Sequence, residues 1–211
     1  ESAEAVRSTA ADNGNMVFFR GGYARSAVAR AGFVEGGDGT LGVSYTADQD
    51  AWYVGAGFDF SLSPDAFGMH DGTEILAEIM FSYSEFDTSP SSLLNTGTVA
   101  FADGGVVTSN IPATVSQFTL TAAPKIKFMK GSKFRPWISP IGLGMHVISP
   151  TSNSVTYLKP SMVFAGGADY NVWKNIYVGA DVRYTLGIAG APNSEINVDT
   201  LTVGGYLGIG F

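Results

Sequence analysis

The 211 residues carry 12 Lys and Arg against 19 Asp and Glu, a formal net charge of −7, with no cysteine. That balance excludes a nucleic-acid surface, which needs clustered cations opposite phosphate, and the lack of cysteine excludes disulfides, thiolate metal sites and cysteine nucleophiles. The 27 glycines, 12% aromatic and 15% charged residues favour many short, closely packed strands over helices, and no apolar run approaches the roughly 18 residues of a membrane-spanning helix.

Residues 1–15 are small and polar and show no periodic pattern. From Met16 onward a period of two recurs, and side chains at successive strand positions point to opposite faces. Eight strands are predicted. In the first, 16–27, Val17, Phe19, Gly21 and Tyr23 oppose Phe18, Arg20, Gly22 and Ala24. The second, 51–62, alternates Trp52, Val54, Ala56, Phe58, Phe60 and Leu62 with Tyr53, Gly55, Gly57, Asp59 and Ser61. The third, 73–86, sets Ile75, Ala77, Ile79, Phe81 and Tyr83 against Glu74, Glu78, Ser82 and Ser84. The fourth, 115–129, sets Phe118, Leu120, Ala122, Ile126 and Phe128 against Gln117, Thr119, Thr121, Lys125 and Lys127. In the fifth, 134–148, Trp137 is placed with Ile141, Leu143, Met145 and Val147, opposite Gly142, Gly144 and His146. The sixth, 157–170, sets Leu158, Met162, Phe164 and Tyr170 against Ser161, Ala165 and Asp169, and the seventh, 176–186, sets Val178, Ala180, Val182, Tyr184 and Leu186 against Gly179, Asp181, Arg183 and Thr185. The eighth, 200–211, alternates Leu201, Val203, Gly205, Leu207, Ile209 and Phe211 with small or polar residues.

Connection lengths alternate. Residues 129–133 and 171–175 read as short polar turns, whereas 28–50, 87–114 and 189–197 are longer and rich in Gly, Ser, Thr, Asn and Asp. Within the second of these, 98–102 and 106–109 flank Asp103-Gly104-Gly105 and predict a small hairpin. Two connections break the pattern: 63–72 is long for a turn and 149–156 is short for a loop.

The bulky face is almost free of charge, while Arg20, Asp59, Glu74, Glu78, Lys125, Lys127, Asp169, Asp181 and Arg183 share the other face with Gly, Ala, Ser and Thr. Bulk outside and charge inside inverts the packing of a soluble barrel, and an eight-stranded barrel has an interior just wide enough for side chains to fill it. Buried charges persist only in pairs, so these nine residues are expected to form a salt-bridged lumen network. Aromatics are expected at two levels: Phe19, Phe58, Phe60, Phe128, Trp137, Tyr170 and Phe211 at one boundary, and Tyr23, Trp52, Tyr83, Phe118 and Tyr184 at the other. The competing reading, a soluble ligand-binding barrel of lipocalin type, turns the bulky face inward and leaves nine charges outside.

The alternation closing on Phe211, the Gly167-Ala168-Asp169-Tyr170 strand end and the stretch Tyr177-Val178-Gly179-Ala180-Asp181-Val182-Arg183-Tyr184 resemble the OmpA/OmpX-type family of small, porin-like outer-membrane β-barrels. The resemblance implies an all-β fold: a transmembrane antiparallel up-and-down β-barrel of eight strands over 16–211, behind a flexible periplasmic segment at 1–15. It places the short turns in the periplasm, the long loops outside the cell, and the chain in the bacterial outer membrane as a monomer. Phe211, Ile209 and Leu207 then serve as the signal read by the barrel-insertion machinery, and outer-membrane lipids and lipopolysaccharide are the surroundings.

Chemistry-bearing residues are sparse. His70 lies in a connection beside Asp71, and His146 is on the inward face of the fifth strand with no Ser two residues away; the expectation is no enzyme, no catalytic residue and no cofactor. Glu74 and Glu78 are expected to meet Arg20, Lys125 or Lys127 on a neighbouring wall. Glycine pairs such as Gly55/Gly57 and Gly142/Gly144 lie within strands, unlike nucleotide loops, which precede a helix. Asp48 and Asp50 are the weak candidates for a divalent cation bridging lipopolysaccharide. Function is read as a structural or surface-interaction role through extracellular loops, with a narrow channel for small solutes or ions as alternative and a lipid-modifying enzyme as second alternative.

Overall fold

The computed structural model describes residues 14–27, 30–34, 40–47, 49–86, 96–101, 106–110, 115–150, 157–188 and 198–211. Their strands are β1 (Met16–Ser26), β2 (Arg30–Val34), β3 (Thr40–Ala47), β4 (Asp50–Ser63), β5 (Glu74–Phe86), β6 (Thr96–Phe101), β7 (Val106–Asn110), β8 (Val115–Lys127), β9 (Phe134–Pro150), β10 (Tyr157–Trp173), β11 (Ile176–Gly187) and β12 (Thr200–Gly210). Eight of them close an antiparallel barrel in the order β1-β12-β11-β10-β9-β8-β5-β4. The expected eight-stranded all-β barrel is therefore present. Closure runs through an unbroken register from Met16↔Gly210 to Ser26↔Thr200. It is pinned at one end by Phe211 N–H donating to the Asn15 carbonyl (3.1 Å) and by Asn175 Nδ2 donating to the Gly210 carbonyl (2.9 Å).

Which face meets lipid follows from exposure. Along β4, Trp52 and Val54 are half exposed while Tyr53 between them is 2% exposed; on β12, Leu207, Ile209 and Phe211 are exposed and Tyr206 is buried. All nine charged residues read as facing inward are buried. The inside is not purely polar, however: Phe18, Trp137, Tyr177 and Tyr206 pack there with Met16 and Met80. On the outer wall, Trp52 and Tyr83 pair at 5.8 Å, Phe81 and Phe118 at 6.2 Å, and Phe58 and Phe60 stack at 6.2 Å.

Trp137 corrects the sequence reading. It belongs to the lumen at 1% exposure, whereas Ile138, Ile141, Leu143 and Met145 face outward. The phase changes at a bulge. Between the pairs Ala122↔Leu143 and Ile126↔Ile138, β9 takes five steps to the four of β8, and β10 shifts against β9 between Val163 and Ala165. Pro140 and Ile141 consecutively face outward there, and proline is tolerated in a strand where pairing is interrupted. A residue two places before the bulge therefore lies on the opposite face from the one simple alternation gives.

One end of the barrel carries the turns, the other the loops. At the turn end, β10 runs on to Trp173, so the 171–175 turn contracts to Lys174 and Asn175, with Lys174 at φ 47°. The 64–73 connection is tightly wound: Ala66, Phe67 and Gly68 all adopt positive φ (52°, 60° and 80°). Ser63 Oγ holds it, donating to Asp65 (2.9 Å) and accepting from Phe67 N–H (2.7 Å). This Ser63 hydrogen bond keeps the Asp65 carboxyl below the usual carboxylate range.

At the loop end the connections carry strands of their own. The hairpin predicted around 98–109 is present as β6 and β7. Residues 28–50 depart from the loop expected: β2 and β3 form a second hairpin, and β3 pairs with β6 to give the four-stranded sheet β2-β3-β6-β7. The alternation of Leu41, Val43 and Tyr45 carried that signal, diluted by five glycines at 32, 36, 37, 39 and 42. Residues 1–13 of the predicted N-terminal segment lie outside the described residues.

Leu143, 65% exposed near the middle of β9, tests the assignment of faces. Leu143→Arg is expected to lower stability in lipid vesicles by about 2–4 kcal/mol, the cost of a cation at bilayer mid-depth. Urea unfolding of the vesicle-inserted barrel measures it, and an unchanged midpoint would refute a lipid-facing β9.

Candidate functional site

Inward-pointing charges from facing walls meet because every second residue of a strand points into a lumen that side chains fill. The result is a single connected chain. Arg20 pairs with Asp181 (2.5 Å), and Asp181 with Arg183 (3.0 Å). Arg183 Nη2 donates to Glu78 Oε2 (3.0 Å), and Glu78 also pairs with Lys125 (3.1 Å). Lys125 reaches Asp59 at 2.8 Å, Asp59 lies 3.9 Å from Lys127, and Lys127 meets Asp169 at 2.6 Å. Tyr206 donates to Asp169, and Trp137 Nε1 donates to Tyr206 Oη (2.9 Å). Counted by element, this chain takes a residue from every one of the eight barrel strands.

Aromatic rings reinforce the cations. Lys125 Nζ sits 4.1 Å from the Trp137 ring centroid, Arg183 lies 5.5 Å from the same ring, and Arg20 lies 4.5 Å from that of Tyr53. A cation over a π face gains most when desolvated, as here. Tyr206 also explains a glycine. A Cβ on Gly179 would fall 2.2 Å from the Tyr206 ring, so only glycine lets that phenol lie against β11 and reach Asp169.

Glu74 stands apart from the chain. It was expected to meet Arg20, Lys125 or Lys127, but it pairs with Arg135 and with Lys130 at 3.5 Å, while Arg20 pairs with Asp181, Lys125 with Asp59 and Glu78, and Lys127 with Asp169. Arg135 and Lys159, both buried, were not assigned to the lumen from sequence. Lys159 lies two residues before inward Ser161 and was legible on that ground; Arg135 is two before Trp137 and was hidden by the same bulge.

His146 is buried on the inner wall. Its Nε2 lies 2.7 Å from Ser161 Oγ on β10, a partner that same-strand spacing could not reveal. Gln117 Nε2 donates to Nδ1 (2.8 Å) and Thr119 Oγ1 lies 2.9 Å from it, at the position where a hydrolytic triad holds a carboxylate. Ser161 is fully buried, facing away from the lipid that an acyl hydrolase would have to reach. Asp50, one of the two cation candidates, is engaged otherwise: Tyr23 donates to it and Arg25 pairs with it at 3.4 Å. Asp48 lies outside the described residues.

No protein-family model matches the sequence, and no curated protein matches it. Solved structures do. Neisserial surface protein A (NspA) superimposes with a TM-score of 0.51 at 13% identity, covering 94% of this chain and 97% of its own. The fold is that of a small outer-membrane β-barrel. The outer membrane protein OprG from Pseudomonas aeruginosa aligns at TM-score 0.47 and 15% identity, over 93% of this chain and 97% of its own. The N-terminal β-barrel domain of Pseudomonas aeruginosa OprF aligns at 0.44 and 14%, over the same shares.

In this barrel the network sits where a channel would run. Glu78, held between Arg183 and Lys125, is a central link of it, and removing one member of a buried pair leaves an uncompensated charge worth about 3–5 kcal/mol. Glu78→Gln is therefore expected to destabilise the barrel by that order. A double-mutant cycle with Arg183→Gln is expected to show non-additivity of at least about 1 kcal/mol, and strictly additive losses would mean that the two side chains do not interact.

Proposed function

We propose that the chain is an outer-membrane protein whose barrel is a closed scaffold and whose loop end makes contacts outside the cell. One observation carries this reading: side chains from all eight strands join across the lumen, while two of the connections at one end contribute the four-stranded sheet β2-β3-β6-β7. A conducting barrel needs a continuous watery path along its axis, and here the axis is crossed by paired charges and by Phe18, Trp137 and Tyr206. Among the described residues the four-stranded sheet has β2 and β7 at its edges, and edge strands suit contact with an extended partner segment.

On this reading Leu207, Ile209 and Phe211 present their exposed side chains to lipid and to the insertion machinery, lipopolysaccharide surrounds the loop end, and the protein works as a monomer. The channel reading loses support because the charged side chains expected to line a pore, Glu78, Lys125 and Arg183 among them, pair with one another across the lumen.

Two measurements test the proposal. Purified barrel in planar bilayers is expected to give no reproducible conductance steps; regular steps that Glu78→Gln alters would overturn it in favour of the channel. Replacing 30–47 and 96–110 by short turns is expected to leave a folded, heat-modifiable barrel while abolishing the cell–cell or cell–surface attachment that the intact protein confers on bacteria displaying it. Attachment that persists in the trimmed barrel would place the contact elsewhere.

A further inference from the structure

Between the charge network and the loop end the lumen holds a cavity of about 30 Å³, with space for one or two water-sized occupants. Above it, Phe86, Ile148 and Val198 pack with Tyr53 as an apolar cluster. Its charged lining is one-sided: Arg20 and Arg183 border it and no carboxylate does, and hydroxyl residues, among them Thr121, Thr185 and Thr200, supply most of its polar wall.

Two donors there are left over. The Arg20 guanidinium gives Nη2 to Asp181 and Tyr53 and Nη1 to the Met80 sulfur, while Nε is buried without a partner. The Thr121 hydroxyl is likewise buried and unpartnered. A buried donor left unmade costs about 1–3 kcal/mol, and more when charged, so both atoms call for an acceptor. Gln117 Oε1, the third unpartnered atom of the wall, is itself an acceptor and suits a water rather than an anion.

We propose that this cavity is a binding site for a small monovalent inorganic anion of the halide class, held by Arg20 Nε and the Thr121 hydroxyl beside one ordered water. Arg20 is the terminal ion of the chain and pairs with Asp181, which Arg183 also holds while itself bound to Glu78, so a cation stands at the end of the network facing the cavity. The volume selects by size: a tetrahedral oxyanion such as sulfate, with five heavy atoms, does not fit a space for two water-sized bodies. The site is independent of what the loop end binds.

Bromide is the probe. In crystals of the detergent-solubilised, full-length barrel grown in sodium bromide, an anomalous peak is expected within hydrogen-bonding distance of Arg20 Nε and Thr121 Oγ1. In solution, bromide is expected to raise the thermal midpoint with the concentration dependence of a single binding site, in contrast to the general salt effect of sulfate. Thr121→Val, which removes one hydrogen bond to the ion, is expected to weaken that bromide dependence about tenfold in apparent affinity. The diffraction arm uses the unaltered chain, so it stands even if the variant does not fold. Water density without an anomalous peak, or a bromide effect without that single-site dependence, would overturn the proposal.

Discussion

A carboxylate enclosed by a barrel wall is tolerated only beside a cation that can reach it, and five such carboxylates, Asp59, Glu74, Glu78, Asp169 and Asp181, are buried here. The lumen geometry answers this by distributing the cations on other strands. Lys125 and Lys127 from β8 bridge to β4, β5 and β10, while Arg183 from β11 crosses to β5 and Arg20 from β1 to β11. Because these bonds join different walls, the pair of Asp181 and Arg183 within β11 aside, the network acts as a set of struts. Breaking one leaves a charge unmatched in a medium of low dielectric constant, where unpaired charges are most costly. The wall glycines serve the same end, as Gly179 does by admitting the Tyr206 ring.

The bulge in β9 has an effect beyond local irregularity. By shifting phase at Pro140 and Ile141 it turns Trp137 inward. The indole then lies beside Lys125 and donates to Tyr206, whose hydroxyl reaches Asp169. Without that shift the largest lumen side chain would face lipid, β9 would contribute nothing to the chain of contacts, and Arg135 would point away from Glu74. One extra residue in one strand thus completes the network.

The two ends of the molecule are built to different rules. At the turn end, short hydrogen-bonded connections and the Asn15 and Asn175 contacts fix the strand ends. At the loop end, sequence that reads as Gly-rich connection pairs into β2-β3-β6-β7. A closed lumen and an elaborated end together favour a function located in surface contacts, with the barrel as the rigid part that holds them.

Period-two patterning by itself determined the barrel strands and their faces. In 51–62 or 176–186 every second residue is apolar and most of these are bulky, charges fall in the opposite phase, and only one face of such a sheet can meet lipid. The membership of Arg20, Asp59, Glu78 and Arg183 in the inner face was legible for the same reason, as was the hairpin around Asp103-Gly104-Gly105. Which cation meets which carboxylate was decided by the tertiary structure, because partners such as Glu78 and Arg183 are 105 residues apart and are brought together only by the stagger of the closed sheet. The inward turn of Trp137 and Arg135, the pairing of His146 with Ser161 and the joining of two hairpins into one sheet belong to that class as well. Each depends on register between strands, and alternation along a single strand carries no record of register.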